Sequence, residues 1–145
     1  MKSISLLALA FLAATIFAAE KPSPTLKIHP RVFEMIESWL SDSISPVLTE
    51  INLDAVAANQ NQFNDEEVKE IDGWRHWNNP ADHGFVRYRI MEAKGNRYKI
   101  EFQQNGGGSL TSKTMVEVAV EKRKITVDRK EKTIRVLRVY SLKSS

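Results

Sequence analysis

The sequence predicts an α+β domain: one N-terminal amphipathic helix packed on a curved antiparallel sheet of five or six strands. Three observations lead there. A single apolar stripe at helical spacing follows Pro30. From Phe85 onward apolar and polar residues alternate with a period of two, as antiparallel strands with one wet face do. The chain beyond its first 19 residues is about 126 residues long, which suits one domain with one core.

Residues 1–19 read as an export signal rather than as part of the fold. Lys2 supplies a basic start, Ile4 to Phe17 is nearly all apolar, and Ala18-Ala19 precede the charged Glu20-Lys21. That order of charge, apolar core and small residues is the pattern of a secretory signal peptide. The apolar run is shorter than the roughly 20 residues a membrane-spanning helix needs, so no anchor is expected after processing. Residues 20–27, with Pro22 and Pro24, read as a tether to a single domain over 28–145. The chain has no cysteine, which excludes disulfides, thiol chemistry and a lipid-modified cysteine. An exported, cysteine-free chain of this size is expected to be periplasmic or secreted, and bacterial.

Pro30 opens the helix, since its missing N–H is one that a first turn leaves unpaired anyway. Val32, Phe33, Ile36, Trp39 and Leu40 form the stripe, with Glu34, Glu37, Ser38 and Ser41 between them. The helix should end near Asp42 or Ser43, ahead of Ser45-Pro46. Residues 46–58 fit a strand through Ile51, Leu53, Ala55 and Ala57, or a helix through Leu48, Ile51 and Ala55. Residues 67–77 fit a strand, or a short helix opened by Asn64 with Glu67 as its capping-box partner. Both segments are expected as strands.

The rest is read as a meander. Val86, Tyr88 and Ile90 alternate with Arg87 and Arg89, and Tyr98, Ile100 and Phe102 with Lys99, Glu101 and Gln103. Val116, Val118 and Val120 follow. Ile125 and Val127 resume out of phase, which predicts a bulge or bend at Lys122-Arg123-Lys124. Ile134, Val136, Tyr140 and Leu142 give the last row. A three-residue loop at Ala93-Lys94-Gly95 would pair Ile90 with Tyr98, Tyr88 with Ile100 and Val86 with Phe102. On the outer face it would set Arg87 opposite Glu101 and Arg89 opposite Lys99. Like charges facing across a ladder are unfavourable, so an acidic group is expected above Arg89 and Lys99.

Charge is unevenly spread. Residues 20–84 carry 5 Lys+Arg against 12 Asp+Glu, and residues 85–145 carry 15 against 6. Either the two halves complement each other, or the second presents an anion-binding face. The stretch Asp72–Gly84 holds two of the three tryptophans and two of the three histidines. On strict alternation Trp74 and His76 share one face of a strand while Arg75 and Trp77 share the other, so both indoles cannot be core.

Two chemistries compete for this region. As a binding surface, Trp74 and Trp77 would join Arg87, Arg89 and Lys99. As an enzyme, His76 or His83 would exchange protons with Asp72 or Asp82 orienting it. No zinc-ligand spacing is present, and no metal or cofactor is expected. Gly106-Gly107-Gly108-Ser109 lacks the lysine and following helix of a phosphate loop and reads as a hairpin loop. No Gly-x-Ser-x-Gly is present. Nucleic acid is not expected for an exported protein whose outer faces lack interleaved aromatics.

In outline, a helix followed by a curved sheet resembles cystatin-like and NTF2-like folds, and fold alone does not carry function. The expectation is a small exported, non-enzymatic protein that binds an anionic ligand or acidic protein partner through its basic sheet face. The alternative is a cone-fold enzyme of lyase, isomerase or hydrolase type with a His/Asp acid–base pair. Self-association stays open.

Overall fold

The computed structural model describes residues 25–42 and 50–144, and the side chains of all of these except 37–42. The expected export signal over 1–19, most of the tether and the side chains of Trp39 and Leu40 lie outside the described set. Helix α1 spans Arg31–Asp42, strand β1 Glu50–Asn52 and helix α2 Leu53–Ala58. Strands β2 (Lys69–Ile71), β3 (Trp74–Asn78), β4 (Phe85–Lys94), β5 (Arg97–Asn105), β6 (Ser112–Val127) and β7 (Lys130–Ser144) follow. All seven strands form one antiparallel sheet in the order β1-β7-β6-β5-β4-β3-β2.

The expected architecture of one helix on five or six strands is therefore overturned, and the cystatin-like or NTF2-like outline with it. Two segments account for most of the difference. Of the strand expected over 46–58, residues 46–49 lie outside the described set and 50–58 do not form one strand: β1 is three residues long and gives way to α2. Asn52 is the reason, because its Oδ1 accepts from the backbone N–H groups of Asp54 (3.0 Å) and Ala55 (3.1 Å). A cap of this kind satisfies donors that a first helical turn leaves open. Residues 67–77 form two strands folded back at Asp72-Gly73, where φ is 50° and 79°. Two consecutive positive φ values mark the turn type that matches strand twist in a tight hairpin. Asn64 caps only a single 3-10 turn, Asp65–Glu67.

One face of the sheet is dry. Tyr88, Tyr98, Ile100, Phe102, Val116, Val118 and Leu137 are buried there. From α1, Val32, Phe33 and Ile36 pack on it, and the Phe33 ring centroid lies 4.8 Å from that of Tyr88 and 6.0 Å from that of Phe102. Each such side chain contributes roughly 1.5–3 kcal/mol by burial. The helix does not roof the face alone. Leu26 and Ile28 from the extended segment before it, Leu53 from α2 and Phe63 complete the core. The Tyr88 hydroxyl ties that segment down, donating to Leu26 O (2.9 Å) and accepting from Ile28 N–H (3.2 Å).

No bulge occurs at Lys122-Arg123-Lys124, since β6 pairs with β7 without a break from Val118↔Val139 to Val127↔Lys130. The apolar residues change phase because the buried face changes. Val116 and Val118 face the main core, whereas Ile125, half-buried, and Val127, exposed, fall on the opposite side with the buried Ile134 and Val136, where the hairpin outruns β5. Its tip turns at Asp128-Arg129, with φ 48° and 63°. Lysines along such free strand edges discourage pairing with another chain. Charge complementarity between the halves is realised in part, through Arg123–Glu50 (2.6 Å), Arg135–Asp54 (2.9 Å) and Arg138–Glu50 (3.6 Å).

Candidate functional site

The outer face of β3, β4 and β5 is set by a register the sequence did not reveal. The β4–β5 loop has two residues, Gly95-Asn96, with Gly95 at φ 62° in the first position. Glycine there is what the second common tight-hairpin turn requires. Met91 is extruded as a bulge, so Glu92 faces Lys99 while Ile90 faces Ile100. The bulge restores the alternation that the shorter loop would otherwise break. As a result Arg89 lies opposite Glu101 and Arg87 opposite Gln103, not Lys99 and Glu101. The expected clash between Arg89 and Lys99 does not exist, and Lys99 pairs with Glu92 at 3.3 Å.

Glu101 anchors the face. It is 2 % exposed and takes Arg89 Nη2 at 2.6 Å, Lys113 Nζ at 3.4 Å and Gln103 Nε2 at 2.8 Å. Burial pushes its carboxyl up, but the bonds from Arg89 and Gln103 and the charges of Arg89 and Lys113 together hold it below the usual carboxylate range. Above this base lies Trp74, half-buried. The guanidinium carbon of Arg87 is 4.4 Å from its ring centroid and that of Arg89 is 4.6 Å away. Arg87 is also 4.9 Å from the Phe85 centroid and is steadied by Gln103 Oε1 at 2.8 and 3.1 Å. Among the described residues Arg87 has no carboxylate partner.

Trp77 is not part of this surface. It lies on the dry face, 7 % exposed, with Nε1–H donating to Glu67 (2.9 Å) and the His29 ring 5.7 Å away. Alternation along β3 separates the two indoles.

The histidine–carboxylate pairs are not assembled. His76 stacks on Phe85 at 5.3 Å and bonds Asn78 Oδ1 at 2.8 Å. His83 (φ 60°) and Asp72 occupy exposed turn positions in the left-handed region, and Asp82 accepts from Gly84 N–H at 2.8 Å. Among the described residues no hydrogen bond joins His76 or His83 to a carboxylate. Nor, among them, do three or more His, Cys, Asp or Glu side chains gather where they could hold a metal ion.

A cavity of about 330 Å³ opens at the sheet end, between the start of α1, the β3–β4 turn and the β5–β6 loop. Glycines hold these two loops together. An added Cβ at Gly107 (φ 87°) would stand 2.0 Å from Asp82 O, so only glycine fits. We expect Gly107→Ala to cost about 2 kcal/mol or more, through both strain and the forced separation of the loops. Urea unfolding of the variant against the parent protein checks this.

No protein-family model matches the chain, and no curated protein or solved structure is significantly similar to it.

Proposed function

We propose that this is an exported, non-enzymatic binding protein that holds anionic groups, on a ligand or an acidic partner, against the outer face of its sheet. The observation that carries this is the placement of two guanidinium groups on Trp74, with Arg87 in no ion pair among the described residues. Arginine presents five donors in a planar fork that suits carboxylate, sulfate or phosphate. Gln103 occupies part of that fork, leaving donors directed elsewhere. Stacking on the indole and the bond to Gln103 fix the group before anything binds, which reduces the ordering cost of association. Arg89 and Lys113 together outweigh the single charge of Glu101, so the face stays cationic. Lys99, neutralised by Glu92, contributes less. The export part of the proposal rests on the order Lys2, Ile4–Phe17, Ala18-Ala19 in the sequence.

Retention on immobilised heparin, used as a polyanion probe, tests the reading. Retention should fall steeply as salt rises, because the contacts are exposed charges. Arg87→Ala combined with Trp74→Ala should weaken binding about tenfold, equivalent to losing roughly 1.4 kcal/mol of contact energy. Equal retention of the variant and the parent, or retention insensitive to salt, would remove the proposal.

A further inference from the structure

The cavity at the sheet end has a chemistry unlike that of the cationic face. We infer that it is a binding site for a neutral polyhydroxylated ring, of the size of one sugar residue. The inference follows from which donors and acceptors there are already used. Asn105 is spent on its own loop: Oδ1 accepts from Gly107 N–H, and Nδ2 donates to Gly108 O and Thr111 Oγ1. Asn79 Oδ1 is occupied by Ala81 N–H and Asp82 Oδ1 by Gly84 N–H. What remains without a partner among the described residues is Asn79 Nδ2 as a donor, Asp82 Oδ2 as an acceptor, and the whole Gln104 amide as both.

The fourth unused group is the Ser112 hydroxyl, which is buried and without a partner among the described residues. Gln104 and Ser112 face each other across the β5–β6 ladder, so the two unmatched polar groups are adjacent. Buried polar groups are nearly always bonded, and one that is not invites an explanation.

A mixture of free donors and acceptors matches hydroxyl groups, each of which both gives and takes a hydrogen bond. An anion does not fit, because the described residues of the lining include no lysine or arginine and do include Glu34 and Asp82. The remaining lining is apolar: Trp77 and Val86 come from the dry face, Phe85 lies at the strand end with its ring shared with Arg87 and His76, and Leu110, 83 % exposed, stands on the β5–β6 loop. These suit the C–H face of a sugar ring. The volume, about 330 Å³, is at the lower end of the range for small-molecule pockets and admits one ring. The site shares Phe85 with the cationic face but contains neither Trp74 nor any of that face's arginines, so neither reading depends on the other.

The test is a titration of the full chain with glucose, N-acetylglucosamine and putrescine, followed by NMR of the Trp77 indole N–H and the Leu110 methyl groups. A saturable shift with at least one sugar, in the millimolar range expected for a few hydrogen bonds, supports the inference. It should be unaffected by salt, which distinguishes it from any polyanion binding. Gln104→Leu should weaken it about tenfold, because a site built to bond hydroxyls is left unmatched. Ser112→Ala, a smaller change, should weaken it less and guards against misfolding of the first variant. A response to putrescine alone would show a cation site and overturn the inference. So would the absence of any saturable shift up to roughly 50 mM sugar, well beyond millimolar affinity.

Discussion

Replacing Phe33 by alanine is expected to lower the free energy of unfolding by about 3–5 kcal/mol, the range for deleting a buried aromatic ring. Phe33 is 1 % exposed and lies between Tyr88 and Phe102, the residues that face each other at the centre of the β4–β5 ladder. Truncation removes the ring's burial and leaves a void that the sheet cannot close without moving two strands. Domains of this size have total stabilities of roughly 5–15 kcal/mol, so a large share would go. The urea midpoint should fall while the slope of the transition holds, as expected when the surface exposed on unfolding is little changed. The loss also reaches the cavity, since α1 contributes Glu34 to its wall and places Arg31 over Trp77 at 5.0 Å. A loss below about 1 kcal/mol would mean that α1 is not held by this ring.

Acid should destabilise the fold through His29, in a window above that of the carboxylates. The ring is 2 % exposed and stands edge-on to Phe63 and Trp77, both at 5.7 Å. Its Nδ1 accepts from Arg31 N–H (3.3 Å), while Nε2 is buried with no partner among the described residues. Burial lowers the imidazole from 6.5 to about 4, Asp65 and Glu67 opposing this and Arg31 and Arg75 reinforcing it. As pH falls from 6.5 to 4 the unfolded chain takes a proton that the folded chain refuses. Stability is therefore lost across that window and is flat, as far as this group is concerned, above it. The full loss is on the order of 3 kcal/mol. His29→Phe keeps an aromatic ring in place and should flatten the profile between pH 6.5 and 5. Parallel profiles for variant and parent would refute this assignment.

Period-two alternation made the dry and wet sides of the β4–β5 ladder legible, and helical spacing made the start of α1 legible. Registers were not. Ile90-Met91 breaks the alternation and is the visible trace of the bulge, but a loop closing at Gly95 fits two lengths, and only the bulge makes the shorter one consistent. That one ambiguity moved every outer-face pairing and hid Gln103. Lys113 was out of reach for a different reason: its place beside Glu101 depends on the β5–β6 register, and the glycine run Gly106–Gly108 prescribes no loop length. The cavity was illegible because it is built from groups left over after local turns are satisfied, a property of three-dimensional bookkeeping. Asn52 did carry a readable signal, a capping residue directly before Leu53, but the alternation of Ile51, Leu53 and Ala55 masked it.

Amide and indole NMR of the labelled chain, titrated with a short heparin oligosaccharide, decides which cations receive anions. The Trp74 indole N–H and the amides of Arg87 to Arg89 should shift together and saturate. Shifts confined to the Arg129–Lys132 tip, with Trp74 unmoved, would place the contact on the hairpin and contradict a binding face centred on that indole.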